Sequence, residues 1–127
     1  MLKIDRRDFI QGAALTTALA AFATVPAEAA GSYYVIAEAT AKPGSADALR
    51  ELLLGLAAKS RTEAGCKSYT LLEVAGEPGH FLTFEVWVDK AALQGHMTTS
   101  HVKAAIPKII PTLVKPFTQK FMAALST

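Results

Sequence analysis

His96 and His101 are the residues of this chain best suited to move a proton. An imidazole titrates near neutral pH, so a histidine beside a hydroxyl serves as a general base. The two lie at i and i+5, not the i, i+4 spacing that sets two histidines on one helix face around a metal, and Thr98 to Ser100 interrupt the helix between them. Ser100 starts a helical turn, which makes His101 the preferred base: a helix N-terminus keeps an imidazole neutral. Alternatively, both histidines only stabilise this helical region. Glu85 and Trp87 share one side of a β-prone segment. Trp87 is an aromatic wall for a ring-shaped ligand or a packing residue. Glu85 is a catalytic carboxylate or, the favoured reading, a structural partner across the sheet. His80 falls in a solvated turn. Cys66 is the only cysteine, which excludes an internal disulfide and suits a small buried side chain. No set of Cys, His and carboxylates has the spacing of a metal site.

The elements that must position these groups follow from the patterning. Tyr33 to Ala41 is a strand, closed by Lys42-Pro43-Gly44. Ser45 caps a helix whose Leu49, Leu52, Leu53, Leu56 and Ala57 form one apolar face, ending before Gly65 as a left-handed cap. Cys66 to Val74 and His80 to Val88 are two strands joined through Gly76-Glu77-Pro78-Gly79. Asp89 caps a short helix carrying His96, and a further turn runs from Ser100 through Ala105 until Pro107 and Pro111 end or kink it. Phe117 to Leu125 closes the domain as a fourth strand, although its pattern alone also allows a helix. The order β-α-β-β-α-β predicts an α+β fold, the ferredoxin-like split βαβ arrangement, with helices on one face of an antiparallel sheet. Its other face should then alternate to polar residues. Instead Leu82, Phe84, Val86 and Val88 form one side and Phe81, Thr83, Glu85 and Trp87 the other, neither properly wet. The uncovered side therefore meets another surface, most simply its own copy in a two-fold homodimer.

The amino-terminal segment is an export address. Arg6 and Arg7 precede Asp8-Phe9-Ile10, and an uncharged stretch from Gly12 to Val25 ends at Pro26 and Ala27-Glu28-Ala29. That run of about fourteen residues is shorter than the roughly 20 a membrane-spanning helix needs, and its order is that of a cleaved signal. Asp5-Arg6-Arg7-Asp8-Phe9-Ile10-Gln11 resembles a twin-arginine signal, which hands folded protein to the twin-arginine translocase. The expected division is a signal peptide over 1–29 and one domain over 30–127, periplasmic or secreted in a bacterium. A net charge of +2 without a basic cluster argues against nucleic acid as a partner.

Taken together, Val35-Ile36-Ala37-Glu38, Lys42-Pro43-Gly44, Glu63-Ala64-Gly65-Cys66-Lys67-Ser68-Tyr69, Phe84-Glu85-Val86-Trp87 and His96-Met97-Thr98-Thr99-Ser100-His101 resemble the antibiotic biosynthesis monooxygenase (ABM) domain, in particular its small quinol monooxygenases. The resemblance runs from about Tyr33 to Phe121. It implies a dimeric α+β barrel and oxidation of a quinol or phenolic ring by molecular oxygen with no cofactor, neither metal nor flavin. A deprotonated phenol is electron-rich enough to reduce oxygen, so the protein need supply only a dry pocket, a base and oxyanion donors. Under that resemblance His101 and His96 are catalytic, and Trp87, Glu85 and Tyr69 bind substrate, Tyr69 as a hydrogen-bond donor or merely as a space-filling ring. Haem degradation is disfavoured, since the asparagine and axial histidine of such enzymes correspond to Ala37 and Ile106. A cofactor-free isomerase of a small carbonyl compound and a non-enzymatic small-molecule-binding dimer remain the alternatives. The enzyme reading expects a pocket of roughly 300 Å³ or more between sheet and helices, lined by Trp87 and reached by a histidine.

Overall fold

A computed structural model describes residues 31–126 of the chain; the signal segment lies outside the described residues. The β-branched and aromatic runs form four strands, β1 (Tyr33–Thr40), β2 (Cys66–Glu73), β3 (His80–Trp87) and β4 (Thr118–Met122). They make one sheet in the order β2-β3-β1-β4, with every neighbouring pair antiparallel. Helices α1 (Ala46–Ser60), α2 (Lys90–His96) and α3 (Ser100–Ile109) cover one face, and a 3-10 turn (Ile110–Thr112) leads into β4. This is the ferredoxin-like split βαβ fold, with its second helical region divided in two.

The strands stop short of their expected ends. Ala41 makes only an isolated bridge to Leu113, and Val88 turns away to donate its N–H to the carbonyl of Gly65. The β2–β3 hairpin closes over Gly76 and Gly79, both at positive φ (80° and 86°), the region that glycine enters without a Cβ clash. His80 is the first residue of β3 rather than part of a solvated turn, and its ring bridges Glu77 and Glu38.

Three helix boundaries depart from expectation. The Ser45 side chain makes no capping hydrogen bond; only its carbonyl takes part, accepting from Leu49 N–H at 2.9 Å. At the far end α1 stops at Ser60 with Arg61 still right-handed, so Gly65 is not a left-handed cap. Gly65 is needed for room instead: a Cβ there would lie 2.5 Å from the Cβ of Ala92 on α2. Asp89 does cap α2, accepting from Ala92 N–H at 2.8 Å, and α3 starts at Ser100 as expected, with Thr99 as its cap. Helix α3 also runs through Pro107 to Ile109. The missing N–H costs one bond, but Val102 and Ile109 are buried against Leu49, Leu53 and Leu56 of α1 and hold the last turn in place.

Two apolar clusters join the layers. Leu49, Leu53, Leu56, Phe81, Val102, Ile109 and Leu113 fill one end, and Val35, Ala57, Tyr69, Trp87 and Leu93 the other. Each fully buried large side chain contributes about 1.5–3 kcal/mol. The bare face of the sheet carries Tyr34 and Ile36 beside Val86 and Phe84 in register, with Leu72 opposite Leu82 on the edge. Leu72 (49%) and Phe84 (38%) are exposed there, part of a larger apolar surface than lone exposed side chains make.

Candidate active site

At the Tyr69–Trp87 end, a loop carboxylate meets two imidazoles that follow it by 33 and 38 residues. Glu63 sits in the loop between α1 and β2, its backbone pinned by Glu63 N–H to the Ser60 carbonyl (3.1 Å) and Cys66 N–H to the Glu63 carbonyl (3.0 Å). His96 is the last residue of α2, and His101 lies in the first turn of α3. The three-residue hinge between the helices, Met97 to Thr99, is fixed: the Thr99 hydroxyl donates to the carbonyl of His96, and that of Thr98 to Gly95, both at 2.8 Å. Glu63 Oε2 then stands 2.7 Å from His96 Nδ1 and 2.6 Å from His101 Nε2. An ionised carboxylate only accepts, so both histidines present N–H to it. In a neutral His96 this leaves Nε2 as the lone-pair nitrogen. His96 is buried; His101 and Glu63 are partly so.

Aromatic rings hold the imidazole from the other side. The Trp87 ring centre lies 4.6 Å from that of His96, and Tyr69 is 6.0 Å away. Trp87 is fully buried, and its indole N–H donates to Glu85 Oε1 at 3.0 Å, while the Thr83 hydroxyl donates to Glu85 Oε2 at 2.7 Å. Burial raises the Glu85 carboxyl above its ordinary value, and these two donors and His96 only partly offset it. Burial likewise pushes the Tyr69 phenol far up, with Glu85 and Glu63 adding repulsion, so it stays a neutral hydroxyl. Cys66 is raised by burial too, which makes a thiolate nucleophile unfavourable.

A cavity of about 60 Å³ lies between sheet and helices. Tyr69, Thr83, Glu85 and His96 form its polar end, and Leu56, Phe81, Val102, Ile106 and Phe117 are among its apolar walls. Trp87 does not line it but backs His96. His101 does not line it either; it faces an outer groove of about 190 Å³ between α1 and α3, beside Lys59 and Lys108. The cavity is thus well below the expected size. Its walls are the close-packed apolar faces of α1 and α3, whose spacing no one-dimensional pattern reveals.

The fold thus brings His96, His101, Trp87, Glu85 and Tyr69, all singled out by residue type, into one neighbourhood, and adds Glu63 and Thr83, to which the sequence assigned no role. Glu63 stood in the Glu-Ala-Gly-Cys stretch; its being the only acid in the α1–β2 loop was the available signal.

Residues 32–108 match the family described as antibiotic biosynthesis monooxygenase, and the chain belongs to that family. Residues 3–23 match the twin-arginine translocation pathway signal sequence. The Mycobacterium tuberculosis protein "Putative monooxygenase Rv0793" is 32% identical over 91 residues, 72% of this chain and 89% of its own length. Its solved structure superposes with a TM-score of 0.72 at 30% identity, covering 76% of this chain and 97% of that one. A Caulobacter crescentus structure titled as a "putative antibiotic biosynthesis monooxygenase" gives a TM-score of 0.71 at 29% identity, over 76% of this chain and 92% of that one. The "Uncharacterized protein sll1783" of Synechocystis is 42% identical over 57 residues, 45% of this chain and only 39% of its own length. Among the described residues no helix is long and apolar enough to cross a membrane.

Proposed function

We propose that the chain is a cofactor-independent monooxygenase that oxidises a compact quinol or phenol with molecular oxygen, with His96 as the base. One observation carries this reading: His96 is both in the cavity wall and hydrogen-bonded through Nδ1 to the Glu63 carboxylate. Its Nε2 accepts the phenolic proton, and Glu63 stabilises the resulting imidazolium. The phenolate then gives one electron to oxygen, and the radical pair recombines at the ring. For a phenol with an open para position the balance closes with no other reductant. One oxygen atom enters the ring as the new quinone carbonyl, and the other leaves as water with the phenolic and ring hydrogens. Tyr69, neutral and at the polar end, is the donor available to the substrate oxygen. Glu85 is a fixed acceptor, both of its oxygens being held by donors.

Admission of a ring requires the cavity to open, since even benzene occupies an apolar cavity of about 150 Å³. Met97, half-exposed in the wall after His96, is the side chain suited to move: a thioether with three rotatable bonds adapts at low cost. His101 acts from outside the cavity, holding the same Glu63 oxygen.

The reading extends to assembly and place. The apolar sheet face around Phe84 and Leu72 pairs with its own copy, giving the homodimer of a dimeric α+β barrel. The twin-arginine signal hands the protein to the translocase, and cleavage after Ala29 leaves the domain 30–127 in the periplasm or outside the cell.

The test is product labelling. Under ¹⁸O₂, with a panel of quinols and phenols and chelator-treated protein, one labelled atom should enter each product ring. Oxygen consumption no faster than that of a His96→Ala control across the panel would remove the reading.

A further inference from the structure

We propose that Glu63, His96 and His101 also form a binding site for a single divalent transition ion of the zinc class, and that its occupancy switches the base off. The second half rests on the function proposed above; the first does not. One ligand atom from each residue lies within 4.8 Å of the other two. The two nitrogens are already 2.7 and 2.6 Å from one carboxylate oxygen. Around an ion with bonds of about 2.0–2.1 Å, neighbouring ligands sit about 3.0–3.4 Å apart. Each nitrogen–oxygen separation therefore widens by less than about 1 Å, and the two nitrogens, no more than 4.8 Å apart, draw to the same spacing through rotations of Glu63 and the two rings.

The backbone is arranged to keep the three donors in place. Glu63 is held at both its N–H and its carbonyl, and Thr99 ties the cap of α3 to the carbonyl of His96. Two imidazoles and one carboxylate suit zinc, nickel, cobalt or iron(II), whereas calcium and magnesium prefer all-oxygen shells. His101 gives access, because its edge lies on the outer groove while His96 is shut in. The sequence alone could not show this site, since Glu63 precedes the histidines by 33 and 38 residues.

Coordination and base catalysis use the same imidazole in opposite tautomers. With Nδ1 bound to an ion, the neutral ring carries its one proton on Nε2. That nitrogen can then no longer accept a proton from the substrate. Zinc is therefore an inhibitor of the reaction, reversible by chelation.

The test is titration of the untagged, chelator-treated protein with Zn²⁺ alone by calorimetry, with Co²⁺ absorption as a second measurement. The expected result is one ion per chain, with affinity tenfold or more weaker in Glu63→Gln and in His101→Ala and unchanged in His80→Ala. Metal-free melting curves show whether the variants are folded, and the Co²⁺ spectrum of the unaltered protein reports nitrogen ligation without any variant. Absence of saturable binding, or loss of binding in His80→Ala alone, overturns the site. If the site binds but stoichiometric Zn²⁺ leaves oxygen uptake unchanged or raises it, the switch is overturned. A protein that binds zinc but oxidises no quinol sinks the proposed function and leaves the site standing.

Discussion

Gly65→Ala should damage this protein at a position where no chemistry occurs. Gly65 does not use the left-handed region, so alanine fits its backbone. In open space such a change stabilises by about 0.4–1 kcal/mol through the unfolded chain. Here the added Cβ would stand 2.5 Å from Ala92 Cβ, against an unstrained carbon–carbon separation of about 3.5–4.0 Å. Helix α2 and the Glu63 loop must therefore separate by about 1 Å, an overpacking cost of about 1–3 kcal/mol. At about 4–8 °C per kcal/mol for a domain of this size, the melting temperature falls by roughly 4–24 °C. The same displacement lengthens the His96–Glu63 bond, since both residues ride on the separated segments. Melting followed by circular dichroism, in a cycle with Ala92→Gly, isolates the contact. Ala92→Gly alone costs about 1 kcal/mol of helix propensity, yet it should restore the Gly65→Ala protein, with a coupling of about 1 kcal/mol or more. A Gly65→Ala protein at least as stable as wild type, or a cycle with no coupling, would refute the packing argument.

Other perturbations separate the remaining claims. Glu63→Gln keeps the shape but removes the charge opposite the imidazolium; loss of a charged hydrogen bond worth about 1.5–3 kcal/mol should lower kcat about 10–150-fold with KM little changed, measured by oxygen uptake. Phe84→Asp on the bare sheet face should turn a dimer into a monomer in sedimentation experiments while leaving the far-UV spectrum intact; a variant that sediments as wild type contradicts the interface. Glu85 gives a pH signature. Its folded carboxyl titrates above the ordinary value of 4.5, so between the two values the native state holds the extra proton, and stability drops as pH rises through that window. Glu85→Gln cannot lose that proton, so its urea midpoint relative to wild type should rise with pH across the window; a pH-independent difference argues against a buried, raised carboxyl.

The strands, the hairpin glycines and the Asp89 cap were legible because each is set by neighbours in sequence: period-two alternation, a turn needing positive φ, an acceptor three residues before an orphan N–H. The uncovered sheet face was legible too, from Phe84 and Val86 recurring where polar residues belong. The helix ends failed where tertiary contacts overrode local preference. Gly65 looked like a cap but answers to Ala92, and Pro107 looked like a stop or a kink but lies inside a helix held by Val102 and Ile109. The site was half-legible. Residue type announced His96 and His101, but which of them reaches the cavity depends on how α2 and α3 meet at Thr98 and Thr99. Glu63 needed the fold itself, since only the closing of the α1–β2 loop onto α2 brings it to the histidines.

Initial rates of oxygen uptake for His96→Ala and His101→Ala, with the same quinol and the same chelator-treated preparation, test the account most directly. The cavity-lining residue should matter more: loss of His96 should cost the 10²–10⁴-fold typical of a general base, and loss of His101 about tenfold or less, through a looser Glu63. The reverse order, with His101→Ala abolishing the reaction and His96→Ala sparing it, would contradict the assignment of the base.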